Sequence, residues 1–332
     1  MNLKQRIELL TDLGNYMLSD HPEWQAAKHR AFLENPWFIP EFIEKSASSI
    51  ATQFLDRERL EAWLEKYQVP LENSRPKNLG IVLAGNLPLV GFHDMLCAFI
   101  TGHRQTLKPS SKDSVLPRHL AAWLSARIPQ QEDQIAFADM LKGCDAYIAT
   151  GSNNAARYFE YYFGKYPHII RSNRTSVAVL DGTESREDLE KLADDVYLYY
   201  GLGCRNVTKI YVPLNYDFVP LLDTFNRYAF LADNNKYKNN YDYQLSLAIL
   251  NKGYYMTNGS VLLMEHPSFF SPISVLHYEY YGNQEAVARM LENNPELQCI
   301  VGRGYTPFGG AQKPALGDYA DGVDTLQFLL EL

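Results

Sequence analysis

Asn78-Leu79-Gly80-Ile81-Val82-Leu83-Ala84-Gly85-Asn86-Leu87-Pro88 decides the fold. Residues 79–84 form a short apolar run of strand length, and residues 89–100 beyond the proline carry apolar side chains at helical spacing. The same alternation then repeats. Further apolar runs lie at 105–107, 135–137, 146–149 and 177–180, with helix-patterned stretches at 114–127, 153–163 and 185–200 among them. Uninterrupted apolar runs separated by amphipathic helices indicate a parallel sheet covered on both faces. Ligands of such a doubly wound α/β lobe bind beyond the carboxyl ends of its strands.

Before this stretch, Leu3, Ile7, Leu10 and Leu13 recur at helical spacing, and residues up to about 70 read as helices punctuated by Pro36 and Pro40. A second, smaller α/β alternation comes after Cys204. Its strands are expected at 210–212, 261–264, 273–278 and 298–301, and its helices at 217–231, 243–250 and 284–292. The polar segment 233–241 reads as a surface loop. A lobe border near residue 204 predicts that the Cys204 thiol faces an interdomain cleft.

With 332 residues, 46% of them apolar and 21% charged, the chain has an ordinary globular composition and enough length for two lobes. A net charge of −8 without a basic stripe excludes a nucleic-acid partner. The N-terminal segment carries Glu8, Asp12 and Asp20 in place of a signal-like apolar run, and the longest apolar stretches are broken by Asn86, Pro88, Gly91 and His93-Asp94. These features predict a cytoplasmic protein without membrane insertion. Cys97, Cys144, Cys204 and Cys299 stand far apart with no Cys-x-x-Cys pair, so a zinc ribbon is excluded and free thiols are expected; no metal site is predicted.

Four short segments carry candidate chemistry. In Gly201-Leu202-Gly203-Cys204, glycines before a cysteine allow a sharp turn that can present a thiol beside its own N–H, and a helix starting after Cys204 would favour the thiolate. The competing reading is a buried cysteine in a tight connection. Asn86 ends the first strand, where its amide can support an oxyanion or simply precede a proline turn. Lys108-Pro109-Ser110-Ser111-Lys112 leaves the next strand with two lysines and two hydroxyls and no carboxylate, which suits a ribose 2′-phosphate or a solvated turn. Thr150-Gly151-Ser152 opens a helix and can face an anion or provide a plain N-cap. No complete Gly-x-Gly-x-x-Gly occurs. His93-Asp94 lies inside a helix-patterned run and reads as structural; the apolar settings of Cys97 and Cys299 suggest inert thiols. The tyrosines at 197, 199, 200, 237, 241 and 243 are expected mostly in the core.

Taken in order, these motifs resemble the aldehyde dehydrogenase superfamily. The resemblance rests on Asn86-Leu87-Pro88, Lys108-Pro109, Thr150-Gly151-Ser152, Gly201-Leu202-Gly203-Cys204, Phe269-Phe270-Ser271-Pro272 and Pro307-Phe308-Gly309-Gly310. Within the superfamily, Asn86-Leu87-Pro88-Leu89-Val90-Gly91, Leu107-Lys108-Pro109-Ser110 and Gly201-Leu202-Gly203-Cys204-Arg205-Asn206-Val207 are most similar to LuxC-type acyl-CoA reductases. Two glutamates of the hydrolytic members are absent: no acid lies in 165–180, and Ser268 stands before the Phe269-Phe270-Ser271-Pro272 motif. Ser111 replaces the usual ribose-binding carboxylate, and Ala156 stands at a position where many relatives carry a glycine.

The resemblance implies an aldehyde-dehydrogenase-like fold of two α/β lobes. Residues 1–75 would form a helical segment on the cofactor lobe, 76–203 the dinucleotide-binding lobe, 204–305 the catalytic lobe, and 306–332 a segment returning to the cofactor lobe. It implies Cys204 as nucleophile and Asn86 as oxyanion donor. Lys108, Ser110, Ser111, Thr150, Gly151, Ser152 and Phe270 would hold NADPH, with NADH as the alternative. Gly201, Gly203, Pro307, Phe308, Gly309 and Gly310 would shape the site loops. The implied reaction is NADPH-dependent reduction of an acyl-CoA or acyl-carrier thioester to an aldehyde through an acyl-cysteine, and a homodimer is the assembly it allows. CoA-acylating aldehyde oxidation, acyl-phosphate reduction and a catalytically silent acyl-binding scaffold are the competing expectations.

Overall fold

A computed structural model describes residues 1–128 and 134–332, and the chain divides into two compact units. The first comprises Met1–Asn173 with Pro314–Leu332; the second comprises Arg174–Lys313.

The first unit begins with four helices, each with a visible start signal. Asn2 and Gln5 form a capping box for α1 (Leu3–Met17), α2 (Pro22–Glu34) and α3 (Pro40–Phe54) open on proline, and Asp56 caps α4 (Arg57–Leu64). Next come β1 (Asn78–Val82), α5 (Phe92–Ile100), β2 (Arg104–Lys108), α6 (Val115–Ser125), β3 (Ile135–Phe137), β4 (Ala146–Thr150), α7 (Asn153–Phe163) and β5 (His168–Arg171). The sheet is parallel throughout, in the order β3-β2-β1-β4-β5. The order in which strands are added reverses between β1 and β4. That switch point is where an open α/β sheet leaves a crevice at its carboxyl edge.

The second unit contains β6 (Thr175–Val179), α8 (Arg186–Tyr197), β7 (Val207–Pro213), α9 (Val219–Phe225), α10 (Asn235–Leu250), β8 (Met256–Thr257), β9 (Leu262–Glu265), β10 (Val275–Tyr281), α11 (Gln284–Leu291) and β11 (Leu297–Gly302). Its sheet runs β11-β6-β7-β10-β9-β8, parallel except for the β8–β9 pair. A last helix, α12 (Thr325–Leu330), belongs to the first unit.

Several expectations are corrected. The apolar run at 177–180 is not part of the first sheet: β6 lies between β11 and β7, so the second unit starts at Arg174, well before residue 204. The first sheet is completed instead by β5. Segment 233–241 is largely helical, because Asn234 accepts hydrogen bonds from the N–H groups of Lys236 and Tyr237, and Tyr237 and Tyr241 bury one face of α10. Tyr243, on the same helix, is exposed, whereas the other five tyrosines are buried. Among the described residues no helix is long and apolar enough to cross a membrane.

Candidate active site

The first unit gathers its candidate residues along one sheet edge. Lys108 closes β2 opposite Val82 of β1, and its carbonyl accepts the Leu83 N–H at 3.0 Å. The chain then passes through Gly85, where a Cβ would stand 2.5 Å from the Ser110 Cβ, so the two loops pack this closely only with glycine. Asn86 comes next, exposed. Its loop is pinned from below: Ser46 Oγ donates to the Pro88 carbonyl at 2.6 Å, and the N–H of Leu89, left-handed at φ 59°, donates to Asp113 Oδ2 at 2.7 Å. Burial pushes the Asp113 carboxyl up to about 7 against the pull of that N–H.

Beside β1, the carboxyl end of β4 leads through Thr150 and Gly151 into α7. Gly151 donates to the Arg171 carbonyl at 3.2 Å, and Ser152 caps the helix by accepting from Ala155 N–H at 3.3 Å. A Cβ on Gly151 would approach Ala155 Cβ to 2.8 Å. Ser152, Asn153 and Asn154 are exposed, so the helix start is open to an anion. Asn86, Lys108, Ser110, Ser111, Thr150, Gly151 and Ser152 thus share the carboxyl edge around the switch point. Glycine-lined loops, hydroxyls, a lysine and an open helix start fit the pyrophosphate and ribose of a dinucleotide.

In the second unit, the turn before Cys204 is more constrained than its glycines suggest. Tyr199, Tyr200 and Gly201 are consecutively left-handed, at φ 57°, 58° and 72°. Two non-glycine residues in that region cost on the order of 1 kcal/mol each, and burial of both rings holds them there. Asn206, fully buried, locks the cysteine turn against the end of α8. Its Nδ2 donates to the carbonyls of Asp195 at 3.1 Å, Val196 at 3.3 Å and Leu198 at 2.9 Å, while its Oδ1 accepts the Gly203 N–H at 2.8 Å.

Cys204 itself is half-buried, and its carbonyl accepts Ser176 Oγ at 3.0 Å. No helix directly follows Cys204: the chain turns and enters β7 at Val207, so no helix start faces the thiol, and the strand expected at 210–212 lies within β7. Apolar neighbours with β-branched Val207, Thr208 and Ile210 favour the strand. Cys299 is not a plain core thiol either. Its Sγ lies 3.1 Å from Ser176 Oγ, and burial pushes the thiol up, opposed by Ser176 and Arg205.

The two remaining motifs are held by side chains that carried no motif signal. In the loop with Phe270, three successive carbonyls are held: Pro267 by Lys209 Nζ at 2.7 Å, Ser268 by His277 Nδ1 at 3.0 Å and Phe269 by Thr208 Oγ at 2.6 Å. Lys209 also pairs with Glu279 at 2.6 Å, and burial lowers His277 to about 4, leaving it neutral with its proton on Nδ1. In Pro307-Phe308-Gly309-Gly310, the N–H groups of Gly309 and Ala311 donate to the carboxylate of Asp195 at 2.6 and 3.0 Å. Asp195 sits on the apolar stripe of α8 with Leu192 and Val196, and a charge at that register is the signal that could have exposed it.

A model of the LuxC acyl-CoA reductase family matches residues 47–218, a span that includes Asn86, Lys108, Thr150 and Cys204. No curated protein matches the chain significantly. Solved aldehyde dehydrogenases share the fold. One is aldehyde dehydrogenase 21 of Physcomitrella patens, in complex with succinate (TM-score 0.67, 14% identity, 91% of this chain and 74% of that one). Another is betaine aldehyde dehydrogenase of Staphylococcus aureus (TM-score 0.67, 10% identity, 94% and 73%). A third is an NAD+ complex of a Mycobacterium tuberculosis aldehyde dehydrogenase (TM-score 0.65, 11% identity, 89% and 72%).

Proposed function

The chain belongs to the LuxC acyl-CoA reductase family, and from that premise we propose that it reduces an acyl-CoA thioester to an aldehyde through an acyl group carried on Cys204. The family and the fold support an oxidoreductase of aldehyde chemistry with a nicotinamide dinucleotide as cofactor.

The observation that carries the finer reading is what ends β5. Where hydrolytic relatives place a glutamate base, this chain has no acid in residues 165–180, and Arg171 is buried in an ion pair with Asp94 at 2.7 Å. No carboxylate in that segment can activate water, which favours a thioester on Cys204 that persists long enough to be reduced.

The Cys204 thiolate attacks the thioester carbonyl; the bond from Sγ to that carbon forms and the bond from carbon to the CoA sulfur breaks. CoA leaves as a thiol after taking up one proton. The Asn86 side-chain amide and the Cys204 N–H support the oxyanion during this exchange. Lys108, Ser110 and Ser111 would hold the adenosine ribose and its 2′-phosphate, Thr150, Gly151 and Ser152 the pyrophosphate, and Phe270 the nicotinamide. When bound, NADPH supplies the hydride that this chemistry requires. Cys204 is then expelled as the thiolate while the aldehyde leaves.

Intact-mass measurement after incubation with acyl-CoA tests the reading. An acyl adduct on Cys204 that disappears when NADPH is added supports it. Absence of an adduct across a series of chain lengths removes it in favour of a silent acyl-binding protein.

A further inference from the structure

Asp195 is fully buried on α8, yet none of its oxygen atoms is idle. Oδ2 accepts the Gly309 N–H at 2.6 Å, Oδ1 accepts the Ala311 N–H at 3.0 Å, and its main-chain carbonyl accepts Asn206 Nδ2 at 3.1 Å. Asn206 in turn holds the Gly203 N–H at 2.8 Å, one peptide before Cys204. The Pro307-Phe308-Gly309-Gly310 turn and the cysteine turn, about a hundred residues apart, are therefore joined by a continuous run of hydrogen bonds through one aspartate.

We propose that Asp195 is a positioning residue for the reaction: when ionised it fixes the Pro307–Gly310 turn relative to the Gly203–Cys204 peptide, and when protonated it releases that turn. The proposal rests on the reading of Cys204 as nucleophile, and it adds a control on that site.

The mechanism follows from the donor count. A carboxylate offers only acceptors, so its two oxygens can each face an N–H. A proton on either oxygen turns that atom into a donor pointed at a donor, and one of the two bonds is lost. Gly309, at φ 78°, takes a left-handed conformation that glycine adopts without strain, and a Cβ there would stand 3.1 Å from Lys191 Cβ. Burial pushes Asp195 up to about 7, opposed by its two N–H partners. The groups that face it are Asp194 of the same helix, which raises it, Lys313 beyond the turn, which lowers it, and the Cys299 thiol of β11, which Asp195 itself raises. Arg227 draws on Asp194 at 3.5 Å.

Amide hydrogen exchange over 306–312, corrected for intrinsic rates between about pH 6 and pH 8, reads the clamp without requiring turnover. In the parent protein, protection of Gly309 and Ala311 should fall at least about tenfold as pH drops through 7; in Asp195→Asn it should be low and flat. Turnover should carry an acid limb near pH 7 that Asp195→Asn lacks and Asp195→Glu regains. In Asp195→Asn, kcat should be about ten- to a hundredfold lower with KM for acyl-CoA unchanged. Acylation of Cys204 at high pH serves as the folding control. Parent-like, pH-dependent protection in Asp195→Asn overturns the proposal. Absence of acylation even in the parent would instead sink the nucleophile reading, while the exchange data would still decide the role of Asp195.

Discussion

Arg171 Nη1 lies 2.7 Å from Asp94 Oδ2, with both side chains buried, and its Nη2 donates to Thr325 Oγ1 at 2.7 Å. One guanidinium thus ties the end of β5 to the first turn of α5 and to α12. The cation that ends β5 is therefore structural.

Removing one partner of a buried ion pair leaves the other uncompensated. Arg171→Met should therefore destabilise the protein by about 3–5 kcal/mol, measured by urea unfolding, and Arg171→Met combined with Asp94→Leu should recover most of that loss. A single variant as stable as the parent would show the pair to be idle.

Asp113 is protonated in the folded state up to about pH 7, whereas in the unfolded chain it ionises near its ordinary 3.8. The folded state therefore binds the extra proton between those values, and stability falls as pH rises across that window and levels off above it. Asp113→Asn keeps an acceptor for the Leu89 N–H and removes this cost. Relative to the parent, it should gain on the order of a few kcal/mol between pH 5 and pH 8 in urea melts. The same difference at both pH values would count against a neutral buried Asp113.

Asn206→Ala strips the Gly203 N–H and three carbonyls of their partner in a dry site. We expect a stability loss of at least about 2 kcal/mol. Iodoacetamide should alkylate Cys204 faster in a loosened turn, while acyl transfer falls about tenfold because orientation is lost. Parallel changes in both rates would argue that the side chain acts only on global stability.

Asn86→Ala should slow acyl transfer and reduction by about 10²–10³, the usual effect of losing one oxyanion donor, and Cys204→Ala should abolish the acyl-enzyme. A covalent acyl label that persists on Cys204→Ala would strike out the nucleophile.

Periodicity made most of both sheets legible, because the central residues of strands such as β1 and β4 are buried and mostly apolar. It did not reveal β5, whose four residues alternate between buried and half-buried and resemble a loop. Nor could it assign the run at 177–180 to a sheet, since a buried strand looks alike in either one. The motifs pointed to the backbone turns. Of the side chains that brace those turns, Asp195 and Lys209 act over long sequence separations and Asn206 and His277 over shorter ones, and only Asp195, a charge on the apolar stripe of α8, carries a local signal. Tyr199 and Tyr200 show the same limit: left-handed tyrosines follow from where their rings pack, not from their propensity.

The discontinuity of the first unit bears on how the molecule is made. His103 Nε2 contacts the Leu329 carbonyl at 2.9 Å, Tyr67 donates to Asp324 at 2.7 Å, and Trp63 Nε1 donates to Tyr319 at 3.1 Å, so its earliest helices wait for its last segment. On a ribosome, Arg174–Lys313 emerges whole while the first unit still lacks those partners. The inserted unit can finish folding first, leaving Trp63, Tyr67 and the Arg171–Asp94 pair incompletely covered until residues 314–332 have emerged. Chaperone dependence should therefore track the first unit, although its sheet is the earlier one to be synthesised.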